Sequence, residues 1–455
     1  MNINRLDFIR AIAACAAAVA CLGFAYAKDG ASSLKPNIII IFTDDQGYAD
    51  LGCYGSKTNK TPRLDQLAKE GTRFTNFYAQ STCGPSRSAL LTGRYPIRSK
   101  GWHMPASEIT FAELIRDAGY QTACIGKWDV SSRKAIINRM PNAKGFDYYF
   151  GTLTANDPGF VPFHENNKAA GRTSDMGSLT KLYTDKSIDY LENRRDKEKP
   201  FILYLAHTMM HTVIGASKKF RGTSKGGLYG DVVEEFDYET GRLLDTVDAL
   251  GLRDNTLVIY ATDNGAWNQP AYINSTAGSS KSAHPEGSIF WGDSGPLRDG
   301  KGTPYEGGPR VPCIMRWPGK VPRNTTSDAI FATVDFLPTF ANLAGFNVPD
   351  DRVIDGVDQT DLLLGKSKTG ARDTYLYEDN NGVRQGKWKY LKARHKSVAP
   401  QFFKDNNRKE VEELYDLESD LGETINLAEK YPEKVAQLKA LMKAISEGSN
   451  PQKRI

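Results

Sequence analysis

The chain has 455 residues, of which 40% are hydrophobic and 25% are charged, and its formal net charge at pH 7 is +5. These fractions are ordinary for globular proteins and exclude a largely disordered chain, while the length allows two packed units. The basic residues are scattered and form no blocks, so a nucleic-acid partner is not expected. A charge balance this mild is compatible with an anionic substrate held in one local pocket.

The N-terminus has the pattern of an export signal. A basic start is followed by an apolar stretch over 11–25, and Ala25-Tyr26-Ala27 has the small-x-small form of a cleavage site. We therefore predict a signal peptide over residues 1–27, a periplasmic or secreted protein, and no transmembrane span. The alternative is a lipoprotein anchor, which the residues before Cys21 do not favour because no leucine leads them.

Four apolar segments predict buried strands that end in polar residues. Continuous hydrophobicity is typical of strands that are buried on both faces, as in parallel sheets. Ligands in such sheets bind beyond the carboxyl ends of the strands, so we expect the residues after these strands to converge on one site. The strands are 37–42 before Asp44 and Asp45, 122–126 before Lys127 and Asp129, 201–205 before His207 and His211, and 256–260 before Asp263 and Asn264.

Helical patterns lie between these strands. The alternation predicts an α/β fold with a mostly parallel sheet sandwiched by helices. Glycines placed just after the periodic segments indicate C-caps. The predicted helices are 62–70 before Gly71, 110–118 before Gly119, and 232–250 before Gly251.

The pattern changes near residue 372. Short β-rich segments with tight turns lie over 375–391 and 413–417, and a polar helix is predicted over 432–446. We therefore predict a catalytic domain over 28–371 and a smaller antiparallel subdomain with a closing helix over 372–455.

The segment that begins at Cys83 places a cysteine beside a helix N-terminus. Gly84 is the expected N-cap, Pro85 suits the first helical position, and Gly93 ends the helix. Such an end favours an anion, and Arg87 on the first turn is placed to reach the same point. From these residues alone, the cysteine is either a buried structural residue or a thiolate nucleophile with a histidine partner.

This segment, Cys83-Gly84-Pro85-Ser86-Arg87 followed by Leu91-Thr92-Gly93-Arg94, resembles the signature of the type I sulfatases of the alkaline-phosphatase-like superfamily. The resemblance covers residues 36–430. It implies that a maturation enzyme oxidises Cys83 to formylglycine, whose hydrate carries the nucleophilic hydroxyl. The other matching motifs, in family order, are Asp44-Asp45, Gly126-Lys127-Trp128, Gly145 to Gly151, His211, Asp263-Asn264-Gly265, the segment around Lys301, and Glu413 to Leu417 with Gly422-Glu423-Thr424.

A metal site follows from this resemblance. Its ligands would be residue 83 together with Asp44, Asp45, Asp263 and Asn264. Hard oxygen donors of this kind suit Ca²⁺, with Mg²⁺ as the alternative, and argue against zinc.

The remaining catalytic roles concern charge and proton transfer. Arg87, Lys127 and Lys301 are expected to stabilise the charge that gathers on the sulfuryl oxygens. His211 is placed to protonate the leaving oxygen as general acid, whereas His207 is interpreted as a supporting residue.

Asp129 departs from the family pattern. The family has a histidine two residues after the lysine, and that histidine is thought to deprotonate the sulfated hydrate so that sulfate leaves. Asp129 either acts as this base or marks a subgroup in which another residue does so.

The resemblance to bacterial sulfatases implies that the substrate is a sulfated polysaccharide or oligosaccharide, such as carrageenan, ulvan or a glycosaminoglycan. The bond that is cut would be the sulfate ester. The long segment 267–295 predicts a functional loop, and its Trp267 and His284 are candidate substrate contacts. Two alternatives stay open: a phosphodiester or phosphonate monoester hydrolase of the same superfamily, and an inert protein that binds sulfated glycans.

Overall fold

The computed structural model describes residues 35–268, 292–394 and 410–450, which belong to one compact unit. The predicted signal peptide over 1–27 lies outside these residues. Within the three ranges, no helix combines the length and the hydropathy that a membrane span requires.

A mixed sheet of eleven strands lies at the centre of the molecule. Five adjacent strands run parallel, and antiparallel strands flank them on both sides. The strands are β1 (Asn37–Thr43), β2 (Thr72–Tyr78), β3 (Gln121–Lys127), β4 (Tyr148–Thr152), β5 (Val161–Glu165), β6 (Lys168–Thr173), β7 (Phe201–Ala206), β8 (Thr256–Thr262), β9 (Arg310–Arg316), β10 (Thr325–Ser327) and β11 (Phe331–Ala332). Their order is β10-β2-β9-β8-β1-β7-β3-β4-β5-β6, with β11 paired to β2.

Strand β1 shows why its sequence is continuously apolar. Ile38, Ile40 and Phe42 pack into a hydrophobic cluster on one face of the sheet, and Ile39 and Ile41 pack into a cluster on the other. All five side chains are fully buried. The prediction of a parallel sheet that is covered on both faces is therefore confirmed.

Helices cover both faces of this sheet. They are α1 (Pro62–Glu70), α2 (Cys83–Thr92), α3 (Pro96–Ser99), α4 (Phe111–Asp117), α5 (Leu179–Asp189), α6 (Gly227–Ala249), α7 (Phe336–Ala344), α8 (Thr360–Leu363) and α9 (Pro432–Ser446). Helices α2, α4 and α7 contribute side chains to the first cluster, whereas α1, α5 and α6 contribute to the second. The molecule is thus a helix–sheet–helix sandwich, as the sequence predicts.

Gly71 is the predicted C-cap of α1 and donates to Ala68 O, whereas Gly84 is not the predicted N-cap of α2. Helix α2 begins at Cys83 with Thr82 as N-cap, so Gly84 lies inside the helix. A Cβ on Gly84 would come within 2.3 Å of the Trp102 ring. Gly71 after α1 is extended, with φ of −139°, and its Cβ would meet the carbonyl of Met315 at 2.1 Å. Both positions require glycine because another group approaches closely.

A second, antiparallel sheet follows near the C-terminus. Its strands, in spatial order, are β12 (Thr374–Leu376), β13 (Gly382–Gln385), β14 (Trp388–Leu391) and β15 (Glu413–Asp416). Val435, Leu438 and Ile445 of α9 share a hydrophobic cluster with this sheet. The predicted antiparallel sheet and closing helix are confirmed, while the domain boundary at 371/372 stays a prediction.

Candidate active site

Four strand ends meet at one edge of the large sheet. Strands β8, β1, β7 and β3 are direct neighbours and parallel, so the residues after them lie side by side. Backbone hydrogen bonds join these ends, from Asp263 N to Thr43 O at 3.1 Å and from Asp44 N to Met209 O at 2.9 Å. The convergence expected from the sequence is therefore present.

A buried acidic cluster lies at this edge. Ligand atoms of Asp44, Asp45, Cys83 and Asp263 all lie within 4.8 Å of one another. Asp45 Oδ2 and Asn264 Oδ1 are buried and make no hydrogen bond to any described residue. Buried oxygens without a partner are costly, and a bound cation would offset this cost. The donor set thus fits a hard divalent ion.

Basic side chains surround these acids. Lys127 Nζ lies 2.6 Å from Asp44 Oδ2, and Lys301 Nζ lies 2.6 Å from Asp45 Oδ1. Arg87 donates from both Nε and Nη2 to Asp263 Oδ2, at 3.0 and 2.8 Å. Arg87 therefore binds Asp263, the residue after β8. It makes no hydrogen bond to Cys83 on its own helix.

Burial and nearby charges shift the pKa values of two carboxyl groups of the cluster in opposite directions. Burial alone would raise the pKa of Asp44, but the charges of Lys127, His211 and Arg87 outweigh it and hold the pKa well below its usual range. Burial and the adjacent Asp44 charge instead raise the pKa of Asp263 to about 7. Crowded carboxylates behave in this way because each negative charge disfavours ionisation of the next carboxyl group.

Cys83 lies at the centre of this arrangement. Its Sγ is 3.3 Å from Asp44 Oδ1 and 3.3 Å from Lys301 Nζ, and the residue is only 2% exposed. Burial, followed by the charges of Asp263 and Asp44, raises the pKa of the thiol well above its ordinary value. Burial and the neighbouring carboxylates therefore disfavour the thiolate form of the unmodified residue.

His211 faces the acidic cluster from the segment after β7. Its Nδ1 lies 2.6 Å from the carbonyl of Thr212, so Nδ1 carries a proton and Nε2 is directed elsewhere. Nε2 lies 3.8 Å from Asp45 Oδ2 and 3.7 Å from Asp157 Oδ1. The Trp267 ring lies 5.0 Å from the His211 ring, and Lys301 Nζ is 4.6 Å from the Trp267 centroid.

The second histidine, His207, has a different environment. It is fully buried, with its ring edge-on to Tyr183 and Phe236, and its Nδ1 accepts a hydrogen bond from the backbone of Met209. Burial lowers the pKa of His207 to about 3, so the ring is neutral at working pH. The predicted substrate contact His284 lies outside the described residues.

Asp129 is buried and both of its oxygens are engaged. Oδ1 accepts from Arg133 Nε at 2.8 Å, and Oδ2 accepts from Trp102 Nε1 at 3.1 Å. Lys127 Nζ lies 3.5 Å from Oδ2. Burial alone would raise the pKa of Asp129, but the charges of Lys127 and Arg133 lower it. A carboxylate held in this way is a weak proton acceptor.

Three residues beside the site belong to no motif that the sequence offers. Arg133 and Asp157 lie near Asp129 and His211, and no family motif singled them out. Glu378, next to β12, accepts hydrogen bonds from the backbone and hydroxyl of Ser81 at 3.0 and 2.7 Å. No local pattern links Glu378 to a segment almost 300 positions earlier, so only the structure reveals this contact.

Comparison with known proteins agrees with this geometry. The sulfatase family model matches residues 36–346, and a second model, the C-terminal part of N-sulphoglucosamine sulphohydrolase, matches residues 300–448. Arylsulfatase G of Rattus norvegicus is 34% identical over 77% of this chain and 72% of its own length. N-acetylgalactosamine-6-sulfatase of Mus musculus is 35% identical over 76% of this chain and 69% of its own.

Solved structures show the same relationship. A Bacteroides thetaiotaomicron protein labelled 6S-sulf, described with the metabolism of multiple glycosaminoglycans, has 27% identity and a TM-score of 0.79, over 91% of this chain and 100% of its own. The protein Ps i-CgsB in complex with k-i-k-neocarrahexaose has 26% identity and a TM-score of 0.74, over 91% of this chain and 94% of its own. The chain belongs to the sulfatase family and is a sulfuric ester hydrolase.

Proposed function

We propose that this sulfatase removes sulfate from a sulfated polysaccharide or oligosaccharide, with residue 83 as the nucleophile. The observation that carries the proposal is the position of Cys83, whose sulfur lies 3.3 Å from both Asp44 and Lys301. A side chain there has an acidic metal site on one side and cations on the other, which is the environment that sulfuryl transfer requires.

Cys83 would act after oxidation to formylglycine by a maturation enzyme, as the resemblance to type I sulfatases implies. The hydrate of formylglycine supplies a hydroxyl nucleophile in place of the thiol. The buried, proton-bearing thiol of the unmodified residue is unsuited to this role, because its pKa is raised well above the ordinary value.

The metal would be Ca²⁺, with Mg²⁺ as the alternative. Asp44, Asp45, Asp263 and Asn264 would hold it together with residue 83. Ligand atoms of the three aspartates and Cys83 converge, and Asp45 Oδ2 and Asn264 Oδ1 are buried with no hydrogen bond to any described residue. When bound, such an ion polarises the sulfuryl oxygens and offsets the repulsion between the carboxylates.

The basic side chains of the site would stabilise charge, and His211 would supply a proton. Lys127 and Lys301 extend from opposite sides toward the carboxylates beside residue 83 and would stabilise the charge on the sulfuryl group. His211 would donate a proton from Nε2 to the leaving oxygen, while Nδ1 keeps its own proton in the hydrogen bond to the Thr212 carbonyl. Arg87, fixed on Asp263, would hold the cluster in place.

The substrate class rests on the relatives and on one aromatic residue. The relatives named above include an N-acetylgalactosamine-6-sulfatase and a protein in complex with a carrageenan oligosaccharide. Trp267 lies buried against His211 and Lys301, where its indole ring would help to shape a pocket for a sugar. The predicted signal over residues 1–27 favours action in the periplasm or outside the cell.

The test is a turnover assay on matched esters. An aryl sulfate, N-acetylgalactosamine 6-sulfate and a carrageenan oligosaccharide would be compared with an aryl phosphate and a phosphonate monoester. We expect the protein made with a maturation enzyme to prefer a sulfated sugar, and the Cys83→Ala protein to be inactive. Faster turnover of the phosphorus esters would overturn the proposal.

A further inference from the structure

Arg133 occupies an unusual position at the rim of the site. Its Nε donates to the fully buried Asp129, which in turn accepts from Trp102. One nitrogen of the guanidinium is thus fixed by a carboxylate that is itself held from a second side. Nη1 and Nη2 make no hydrogen bond to any residue that the structure describes, and the side chain is 40% exposed.

This rim lies next to the nucleophile. The Trp102 ring packs so closely on Gly84, the residue after Cys83, that a Cβ there would be 2.3 Å from it. The backbone N–H of Ser132 donates to the carbonyl of Trp102 at 2.7 Å. This bond joins the segment that carries Arg133 to the segment that carries Trp102. The pKa of Arg133 is raised, chiefly by the charge of Asp129. Arg133 therefore belongs to a segment that packs directly on the start of the helix carrying residue 83.

A fixed guanidinium whose Nη1 and Nη2 make no hydrogen bond among the described residues is suited to one kind of ligand. Guanidinium groups bind carboxylates and sulfates with two parallel hydrogen bonds, which a lysine cannot do. Lys134, the next residue, adds a second exposed cation to this segment. The substrate of a saccharide sulfatase often carries such a group besides the ester that is cut.

Asp157 is the acidic group that would compete with the ligand. Its Oδ2 lies 3.5 Å from Arg133 Nη1 and its Oδ1 lies 3.7 Å from His211, but it makes no hydrogen bond to either residue. It is 42% exposed, and exposed pairs of this kind contribute little to stability. An incoming anion can therefore displace it.

We propose that Arg133, held by Asp129, binds a second anionic group of the substrate, either a uronic carboxylate or a further sulfate. This inference rests on the proposed function and names the class of saccharide that the same site prefers. It also gives the departure from the family at position 129 a role, since Asp129 orients the arginine.

The test is a binding comparison in the calcium-loaded Cys83→Ala protein, which cannot turn over its ligand. Isothermal titration calorimetry would measure Kd for N-acetylgalactosamine 6-sulfate, for its 4,6-disulfate, and for the disaccharide in which an unsaturated uronate is attached to it. The three ligands share one sulfated ring, so the two larger ones separate a second sulfate from a carboxylate.

We expect at least one of the two larger ligands to bind about 10- to 100-fold more tightly than the monosulfated sugar. In Arg133→Ala this gain should vanish while the affinity for the monosulfated sugar is kept, and Arg133→Lys should restore only part of it. Asp157→Asn should increase this gain in affinity. Lys134→Ala removes a neighbouring exposed cation as a control and should leave most of the gain in place.

The inference is overturned if neither larger ligand binds more tightly, or if the gain persists in Arg133→Ala. Sulfate turnover by the wild-type protein, measured separately, reports on the proposed function alone. A protein that hydrolyses sulfate esters without showing the gain would refute only the role of Arg133. A protein that shows the gain without hydrolysis would refute only the proposed function.

Discussion

Glu378 holds Ser81 through two hydrogen bonds to one carboxyl oxygen, from the Ser81 backbone N–H at 3.0 Å and from its hydroxyl at 2.7 Å. The other oxygen accepts from the Thr82 hydroxyl at 2.9 Å. Ser81 and Thr82 directly precede Cys83, and all three are buried. A residue beside the C-terminal sheet therefore fixes the two residues that lead directly into Cys83.

The first prediction concerns this contact. Glu378→Ala leaves three buried donors without an acceptor, so the free energy of unfolding should fall by at least about 2 kcal/mol in urea titrations. The turnover number should fall more than KM changes, because the position of residue 83 is disturbed and the rim is not. Glu429→Ala, at an exposed glutamate further along the chain, should change neither quantity. Equal stability of the Glu378→Ala and wild-type proteins would contradict this role.

The second prediction concerns pH. Burial and the adjacent Asp379 charge raise the pKa of Glu378 from its ordinary value of 4.5 to about 8 in the folded protein. The folded state therefore keeps a proton that the unfolded chain has lost, and stability should fall as pH rises between these two values. Glu378→Gln, which cannot titrate, should flatten this part of the profile. Melting temperatures across this range provide the measurement, and parallel profiles for the two proteins would refute it.

The third prediction concerns the metal. Removing divalent ions with a chelator should lower the melting temperature and abolish turnover, and added Ca²⁺ should restore both. Asn264→Ala removes one buried ligand oxygen without changing the charge, so it should weaken Ca²⁺ binding by about 10-fold or more. Asn268→Ala, four residues further along, is the matched control. Unchanged stability and activity in protein shown to be metal-free would exclude the site.

The fourth prediction concerns Asp129. Since both its oxygens are engaged and its pKa is lowered, we expect Asp129→Asn to act mainly on KM, in parallel with Arg133→Ala. Loss of a general base would instead cost about 10²- to 10⁴-fold in turnover. It would also give a burst of one product per enzyme, with a sulfated residue 83 detectable by mass. Pre-steady-state kinetics distinguish the two, and a burst would return the base role to Asp129.

The sequence predicted the large sheet and the polar edge because each rests on a local signal. Continuous apolar runs such as 37–42 determine a strand buried on both faces, and the polar residues after these strands fall at one edge of a parallel sheet. The positions of Asp44 and Asp263 in the fold followed from this rule, without any knowledge of their contacts.

Contacts between distant segments could not be predicted in this way. Neither the partner of Glu378 nor the packing of Trp102 on Gly84 leaves a periodic signal, and Gly84 resembled a helix cap because a cap also favours glycine. The engagement of Asp129 by Arg133 depends on how one loop turns back, which the pattern of residue types does not specify.

Residue 83 is proposed to act as formylglycine. Measuring its modification and the turnover on the same samples tests this role directly. Protein would be expressed with graded amounts of a maturation enzyme, and the conversion of Cys83 would be determined by peptide mass spectrometry. We predict that sulfate-ester turnover per molecule rises in proportion to the converted fraction and extrapolates to zero for the thiol. Full turnover in protein that retains only unmodified Cys83 would contradict the account.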